Sequence, residues 1–235
     1  MPQYKEAQAL AERLEKSGRP VVSIEMRDVY DLGAQYFIWE TATAAAGSLM
    51  KINPFDQPNV QEAKTLAQAA LRDIATKKGA EAEPKSEIRL SAALSGAVTT
   101  AGLGKFLTST VKDGDYVGIM AYMDGSAETD KALELLRRKF NNSATLFGYG
   151  PRYLHSTGQL HKGGANNGVF LMFTAAPAKD APVPTENYTF AQLEYAQAGG
   201  DFAALDAKGR RAVWVHLGAE PLKTLAEITD GFGNK

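Results

Sequence analysis

The chain has 235 residues, of which 44% are hydrophobic and 23% are charged, and its formal net charge is −1. These values are typical of a globular protein and argue against a basic nucleic-acid-binding surface or a polybasic membrane-binding segment. The absence of cysteine excludes disulfide scaffolds, thiol catalysis and cysteine-ligated zinc. We therefore expect a cytoplasmic enzyme or binding protein.

The first third of the chain is predicted to be mainly helical. Apolar residues share one face of a helix over residues 4–16, and a short buried strand is predicted at 20–24. A second helix is expected to begin at the N-cap residue Asp31 and to end near Leu49. A buried parallel strand needs neighbours, and none precedes this one, so we infer that the chain begins inside a longer α/β domain. The alternative is a natural start with this strand at a sheet edge.

The rest of the chain alternates helices and strands. A third helix is predicted at 58–77, followed by a charged linker over 77–87 that contains glycine and proline. Strands are then predicted at 116–122, 144–148, 168–174 and 212–217, and helices at 128–140, 190–197 and 222–228. These spacings predict a small mixed α/β domain of two or three layers.

One motif has the character of a ligand site. Pro58 suits the first turn of a helix, and Asp56 or Gln57 is placed to cap it. The open end of such a helix presents N–H groups and a positive dipole to anionic or hydroxyl-rich ligands. Gln57 and Lys64 are seven residues apart, so on one helix they differ by only about 20° around its axis. Both side chains are then expected to point into one pocket.

This motif resembles a family signature. Phe55-Asp56-Gln57, followed by Lys64, is similar to the C-terminal signature of phosphoglucose isomerases. Further positions agree with that family in order and spacing: Arg19-Pro20, Leu32-Gly33, Glu40 and Ile52-Asn53. Asn59 and Gln61 depart from it, where a glycine and a glutamate are usual. These departures concern the start of the helix rather than Gln57 or Lys64.

The resemblance implies a function and a division of roles. It implies cofactor-free interconversion of glucose 6-phosphate and fructose 6-phosphate, with Lys64 catalytic and Gln57 at the substrate. The family's glutamate base, ring-opening histidine and phosphate-gripping loop match no residue of this chain. We expect Glu40 to be structural, and we expect the isolated chain to be inactive.

A second motif lies at residues 148–164, where glycines surround several polar side chains. The candidate residues for binding an anion or a sugar are Arg152, His155, Ser156, Thr157, Gln159, His161 and Lys162. A solvent-accessible loop is expected. The alternative is a tight connection whose glycines form turns and whose histidines bond to the backbone. The two histidines have no acidic residue nearby, which argues against a metal site.

The second motif resembles the extension found in bifunctional transaldolase–phosphoglucose isomerases. The resemblance implies the end of an SIS-like, parallel-sheet domain at residues 1–80 and an α/β extension domain at 88–235. The implied partners are a sugar phosphate, the N-terminal isomerase part and a transaldolase domain, with no nucleic acid and no membrane. Oligomeric state is left open. The alternatives to an isomerase part are a non-catalytic sugar-phosphate-binding or regulatory module and a purely structural interface piece.

Overall fold

The computed structural model describes residues 2–76 and 87–233. Its helices are α1 (Pro2–Lys16), α2 (Asp31–Met50), α3 (Pro58–Thr76), α4 (Leu103–Thr110), α5 (Ala127–Arg137), α6 (Gly158–Gly163), α7 (Phe190–Ala207) and α8 (Pro221–Asp230). Its strands are β1 (Glu87–Leu90), β2 (Tyr116–Tyr122), β3 (Ala144–Tyr149), β4 (Gly168–Thr174) and β5 (Arg211–His216). Two short 3₁₀ helices follow α5 and β3, at Arg138–Phe140 and Arg152–His155. Most of the predicted linker at 77–87 lies outside the described residues.

The chain forms two compact units that divide between Asp56 and Gln57. The described part of the first unit contains α1, α2 and connecting segments, and no strand. The predicted strand at 20–24 is wrong, because this segment is irregular and the Val22 side chain is 83% exposed. An apolar segment becomes a buried strand only where another strand pairs with it, and no described residue does so here. The predicted SIS-like domain stays a prediction.

Helix α2 begins at Asp31, as predicted, but Asp31 is not its N-cap. Tyr30 occupies the cap position, in helical conformation and without a side-chain cap bond. The Asp31 carboxylate instead accepts hydrogen bonds from the Arg27 backbone N–H at 2.8 Å and from the Arg27 guanidinium at 3.0 and 3.1 Å. These bonds lower the pKa of Asp31. A carboxylate in the first turn also complements the helix dipole.

The second unit is built on a five-stranded sheet with the order β1-β5-β4-β2-β3. Strands β2, β3, β4 and β5 run parallel, and the short β1 pairs antiparallel with β5. All seven residues of β4 are buried, as expected of a strand covered on both faces. The predicted strands at 116–122 and 168–174 match β2 and β4 residue for residue.

Helices cover both faces of this sheet, which gives three layers. Buried residues of α4, α5 and α8 join one core with the sheet. Ala198 and Leu205 of α7, with Tyr153 and Leu154, join a second core on the opposite face. Helix α7 extends ten residues beyond its predicted end at 197, through Gly199 and Gly200, because packing against the sheet outweighs the low helix propensity of glycine.

Helix α3 packs against α7 and belongs to the unit that begins at Gln57. The domain boundary predicted from the sequence lies at residues 80–88 and would assign α3 to the N-terminal domain. The observed division between Asp56 and Gln57 assigns α3 to the second unit. The assignment of the two parts to an isomerase domain and an extension stays a prediction.

Candidate functional site

Lys64 lines a cleft of about 370 Å³ in the second unit. Helix α3 supplies Lys64, Ala67, Gln68 and Leu71, which lie on one side of the helix at spacings of three and four residues. The remaining lining residues are Pro151, Leu154, His155, Tyr188, Leu193 and Gln197. Five of these ten residues carry a polar side-chain group and the other five are apolar, so the cleft offers a ligand both kinds of contact. Lys64 and His155 are both exposed, so their polar ends are accessible to a ligand.

Gln57 does not join Lys64 as predicted. Helix α3 begins at Pro58, so Gln57 precedes the helix, and the helical geometry assumed for the pair does not apply. The Gln57 side chain is exposed, and it is not among the residues that line the cleft. The structure therefore brings Lys64 together with His155 rather than with Gln57.

The amino end of α3 is occupied by a side chain of the second motif. The Asn59 N–H donates to Gln159 Oε1 at 3.2 Å, and Gln159 Nε2 donates to Asn59 Oδ1 at 2.7 Å. This reciprocal pair satisfies one of the free amides of the helix, in place of the ligand expected there. Gln159 thus ties α6 to α3, and its substrate contact stays a prediction.

The second motif is not the predicted solvent-accessible loop. It folds into the 3₁₀ helix Arg152–His155 and the helix α6, and it buries His161 and Lys162, which are 2% and 1% exposed. Its apolar residues Tyr153 and Leu154 are also buried. The glycines of the motif favour a loop when the sequence is read alone, but these buried side chains hold short helices against the sheet.

Lys162 forms an ion pair with Asp201 of α7, and both side chains are fully buried. The Tyr153 hydroxyl donates to the same carboxylate, and the Tyr122 and Tyr153 hydroxyl oxygens lie 3.3 Å apart. Burial raises the pKa of Asp201 and lowers the pKa of Lys162. Because Lys162 is fully buried beside Asp201, its amino group is not available to a ligand in solvent. Asp201 is not predictable from the sequence, since nothing in its local pattern distinguishes it.

His161 lies among aromatic rings instead of facing solvent. Its ring centroid is 5.0 Å from that of Phe170, 5.8 Å from that of Tyr153 and 6.2 Å from that of Tyr116. Burial, helped by the charge of Lys162, lowers the pKa of His161 to about 4. The imidazole is consequently neutral near pH 7 and supplies no positive charge to an anion.

A second cavity, of about 240 Å³, lies beside the edge strand β3. Arg152, Ser156, Thr157 and His161 line it, together with residues of β2 and β3. The structure therefore divides the predicted residues between two places, with Lys64 and His155 at the first cleft and these four at the second cavity. Gln57, Gln159 and Lys162 line neither of them.

Two further expectations concern Glu40 and metals. The side chain of Glu40, for which a structural role is expected, is exposed on α2. Among residues 2–76 and 87–233 there is no group of three His, Asp or Glu side chains arranged to hold a metal ion. In the same residues, no helix has the length and apolar character needed to cross a membrane.

Comparison with known proteins gives one informative match. No protein-family model matches the chain. Over 76 residues the chain is 37% identical to the glucose-6-phosphate isomerase of Bordetella petrii, a match that covers 31% of this chain and 15% of that protein. The chain thus spans about one seventh of the length of this relative. The match supports a relationship to glucose-6-phosphate isomerase over a limited region.

A solved structure is also similar in part. The hypothetical protein TT0462 from Thermus thermophilus superimposes with a TM-score of 0.45 and 18% sequence identity. The superposition covers 55% of this chain and 38% of that chain. A likeness at this level does not identify a fold family, so the architecture rests on the mixed five-stranded sheet itself.

Proposed function

We propose that this chain is the C-terminal part of a glucose-6-phosphate isomerase, which interconverts glucose 6-phosphate and fructose 6-phosphate in the cytoplasm. The observation that carries the proposal is the 37% identity to the Bordetella petrii enzyme. We further propose that the parent protein is bifunctional and carries a transaldolase domain, as the resemblance of the second motif implies. The isolated chain is then inactive, because the carboxylate that moves the proton between C1 and C2 lies elsewhere in the parent protein.

Lys64 is the proposed catalytic residue of this chain. In the isomerisation, negative charge develops on the sugar oxygen as the proton leaves the neighbouring carbon. An ammonium group placed beside that oxygen stabilises this charge, and it stabilises the transition state more than the ground state. The exposed position of Lys64 at the edge of a cleft supports this role, since a sugar phosphate can reach it. Gln57, also exposed, is proposed to orient the substrate once the rest of the enzyme surrounds it.

The surface of α2 supports the proposal that a larger polypeptide surrounds this chain. Tyr36, Phe37 and Trp39 are 63%, 71% and 59% exposed, and Ile38 between them is 52% exposed. Four successive apolar residues point to all sides of a helix, a pattern typical of a helix buried within a protein core. Exposed apolar surface of this kind marks a contact with another protein segment. We propose that the preceding part of the isomerase covers α2.

Replacing Lys64 by methionine in the full-length protein tests the proposed role. Turnover of fructose 6-phosphate in a coupled assay is expected to fall by about two orders of magnitude or more, the scale of losing a positioned electrostatic or acid group. Stability is expected to change little, because Lys64 is exposed. Arg72→Met is the matched control, since Arg72 is an exposed cation on the same helix. Near-normal turnover of the Lys64 variant would show that the role is wrongly assigned.

A further inference from the structure

Strand β3 forms one edge of the sheet, and its outer side is open. Among residues 2–76 and 87–233, β2 is the only strand that pairs with β3, and the backbone of β3 bonds to no other residue. The N–H and C=O groups that point away from β2 therefore have the geometry to pair with a further strand. The Phe147 side chain in β3 is 38% exposed, so apolar surface accompanies these groups.

The opposite edge of the sheet is protected against such pairing, whereas β3 is not. Strand β1 has only four residues, and two of them, Glu87 and Arg89, are charged. Short length and charged side chains are the usual features that keep an edge strand from pairing with another chain. Strand β3 has six residues, none of them charged and none of them proline. An edge of this kind is expected to be covered by another polypeptide.

Helix α5 lies beside this edge and has opposite charges at its two ends. The Tyr149 hydroxyl of β3 donates to Asp130 Oδ1 at 2.7 Å, which places this side of α5 above β3. Glu134 and Arg137 follow one and two turns later on the same side, joined by an ion pair of 2.9 Å. Arg138 also pairs with Glu134, at 3.1 Å. This side of the helix is therefore negative near its beginning and positive near its end.

This charge distribution suits the dipole of α5, and it also makes the helix complementary to a second copy of itself. Because α5 connects the parallel strands β2 and β3, it runs antiparallel to both. Antiparallel pairing of two β3 strands about a twofold axis perpendicular to the sheet also lays the two α5 helices antiparallel on one face. Asp130 of each copy then faces Arg137 and Arg138 of the other. A twofold interface requires such self-complementarity.

We propose that the chain binds a second copy of itself through β3, so that the two sheets join into one continuous sheet with Phe147 at the axis. The Phe147 and Tyr149 rings share one face of β3, with centroids 5.2 Å apart. Pairing brings these rings together with those of the other copy and covers Phe147, and aromatic cross-strand pairs stabilise antiparallel strands. The proposal does not depend on the isomerase function, because neither Lys64 nor Gln57 takes part.

Sedimentation velocity of the purified chain over a range of concentrations tests the proposal. We expect a monomer–dimer equilibrium with a dissociation constant in the micromolar range. Phe147→Lys places two like charges at the axis and is expected to raise this constant about tenfold or more. Phe147 is partly exposed at the sheet edge, so the fold should persist, which circular dichroism checks. A wild-type chain that stays monomeric at millimolar concentration would overturn the proposal.

Two control variants make the result specific to β3. Leu135 is 49% exposed on α5, about 140° around the helix from Asp130, so Leu135→Lys is expected to leave the dissociation constant unchanged. Phe37 is 71% exposed on α2, and Phe37→Lys reports any association through that helix. Association that survives Phe147→Lys but is lost in Phe37→Lys would overturn the proposal.

Exchanging the charges of α5 tests the antiparallel orientation. Asp130→Lys and Arg137→Glu each place like charges opposite one another and are expected to raise the dissociation constant about threefold or more. The double variant restores opposite charges across the axis and is expected to recover most of the affinity. Such recovery does not arise within one copy, because the two residues lie two turns apart on the helix. A double variant that binds no more tightly than the single variants would overturn the arrangement.

Discussion

Replacing Lys162 by methionine tests the buried ion pair between α6 and α7. Methionine keeps much of the side-chain length but removes the ammonium, which leaves the Asp201 carboxylate at 0% exposure without its counter-charge. Breaking one side of a buried pair typically costs about 3–5 kcal/mol. The Tyr153 hydroxyl still donates to Asp201, so the carboxyl group keeps one hydrogen bond.

The pH dependence follows from the protonation of Asp201 in the variant. Without Lys162, burial keeps the carboxyl protonated in the fold, whereas the unfolded chain ionises it above its ordinary pKa of about 3.9. The folded variant then holds one more proton than the unfolded chain, and its stability falls by about 1.4 kcal/mol per pH unit as pH rises above 4. In the wild type, Lys162 and Asp201 together bind one proton in both the folded and the unfolded state above pH 4. Wild-type stability therefore does not change with pH through this pair. The stability difference between the two proteins should therefore be about 4 kcal/mol larger at pH 7 than at pH 4.

Urea unfolding of the two proteins at pH 7, 5.5 and 4.5 measures this difference. A Trp39→Phe background leaves Trp214, which is buried on the sheet, as the fluorescence reporter of the second unit. Lys208→Met is the control, because the Lys208–Glu62 pair is 38% and 36% exposed, and its loss should cost less than about 1 kcal/mol at every pH. A Lys162 variant as stable as the wild type at pH 7, or equally destabilised at all three pH values, would refute the reasoning.

Three further predictions concern activity and local stability. The purified chain should show only background turnover of fructose 6-phosphate in a coupled assay. A specific, reproducible rate would contradict the proposal that the isolated chain lacks residues needed for catalysis. Asp115 accepts two bonds from Arg211, at 2.7 and 2.8 Å, which lower its pKa, so Asp115→Asn should cost about 1–3 kcal/mol at pH 7 in urea unfolding. That cost should shrink as pH falls below about 4, because the unfolded chain then binds a proton at Asp115 that the folded protein, with its lowered pKa, binds only at lower pH. A constant cost would contradict the ion pair. Ser126 accepts from the Thr129 N–H at 3.1 Å as the N-cap of α5, so Ser126→Ala should lower the free energy of unfolding by about 1 kcal/mol, and an unchanged value would rule out the cap.

The elements predicted best from sequence are those whose pattern is local. Strands β2 and β4 are short apolar runs between polar turns, and the helix predicted from Pro58 begins at that residue. The segment 20–24 has the same apolar character as a strand, yet it has no strand partner in the described residues. Strand formation depends on a neighbour far away in sequence, and composition does not report that neighbour. The four-residue strand β1 was not predicted for the same reason: it is recognisable as a strand only through its pairing with β5, which lies more than a hundred residues later.

The site shows the same division between local and long-range information. Lys64, His155, Arg152 and His161 are recognisable in the sequence as candidate residues, but their division between two separate cavities is not. Lys162, another candidate residue, pairs instead with Asp201, which lies on a helix later in the chain. Only the packing of α6 against α7 decides which polar residues of the motif face solvent.

Turnover by a chimeric enzyme tests the central proposal most directly. In the Bordetella petrii glucose-6-phosphate isomerase, the matching 76-residue segment would be replaced by the aligned segment of this chain, taken so as to include Gln57 and Lys64. The account predicts that the chimera converts fructose 6-phosphate to glucose 6-phosphate and that its Lys64→Met version loses about two orders of magnitude or more in turnover. A correctly folded chimera without activity, or one whose activity survives the loss of Lys64, would contradict it.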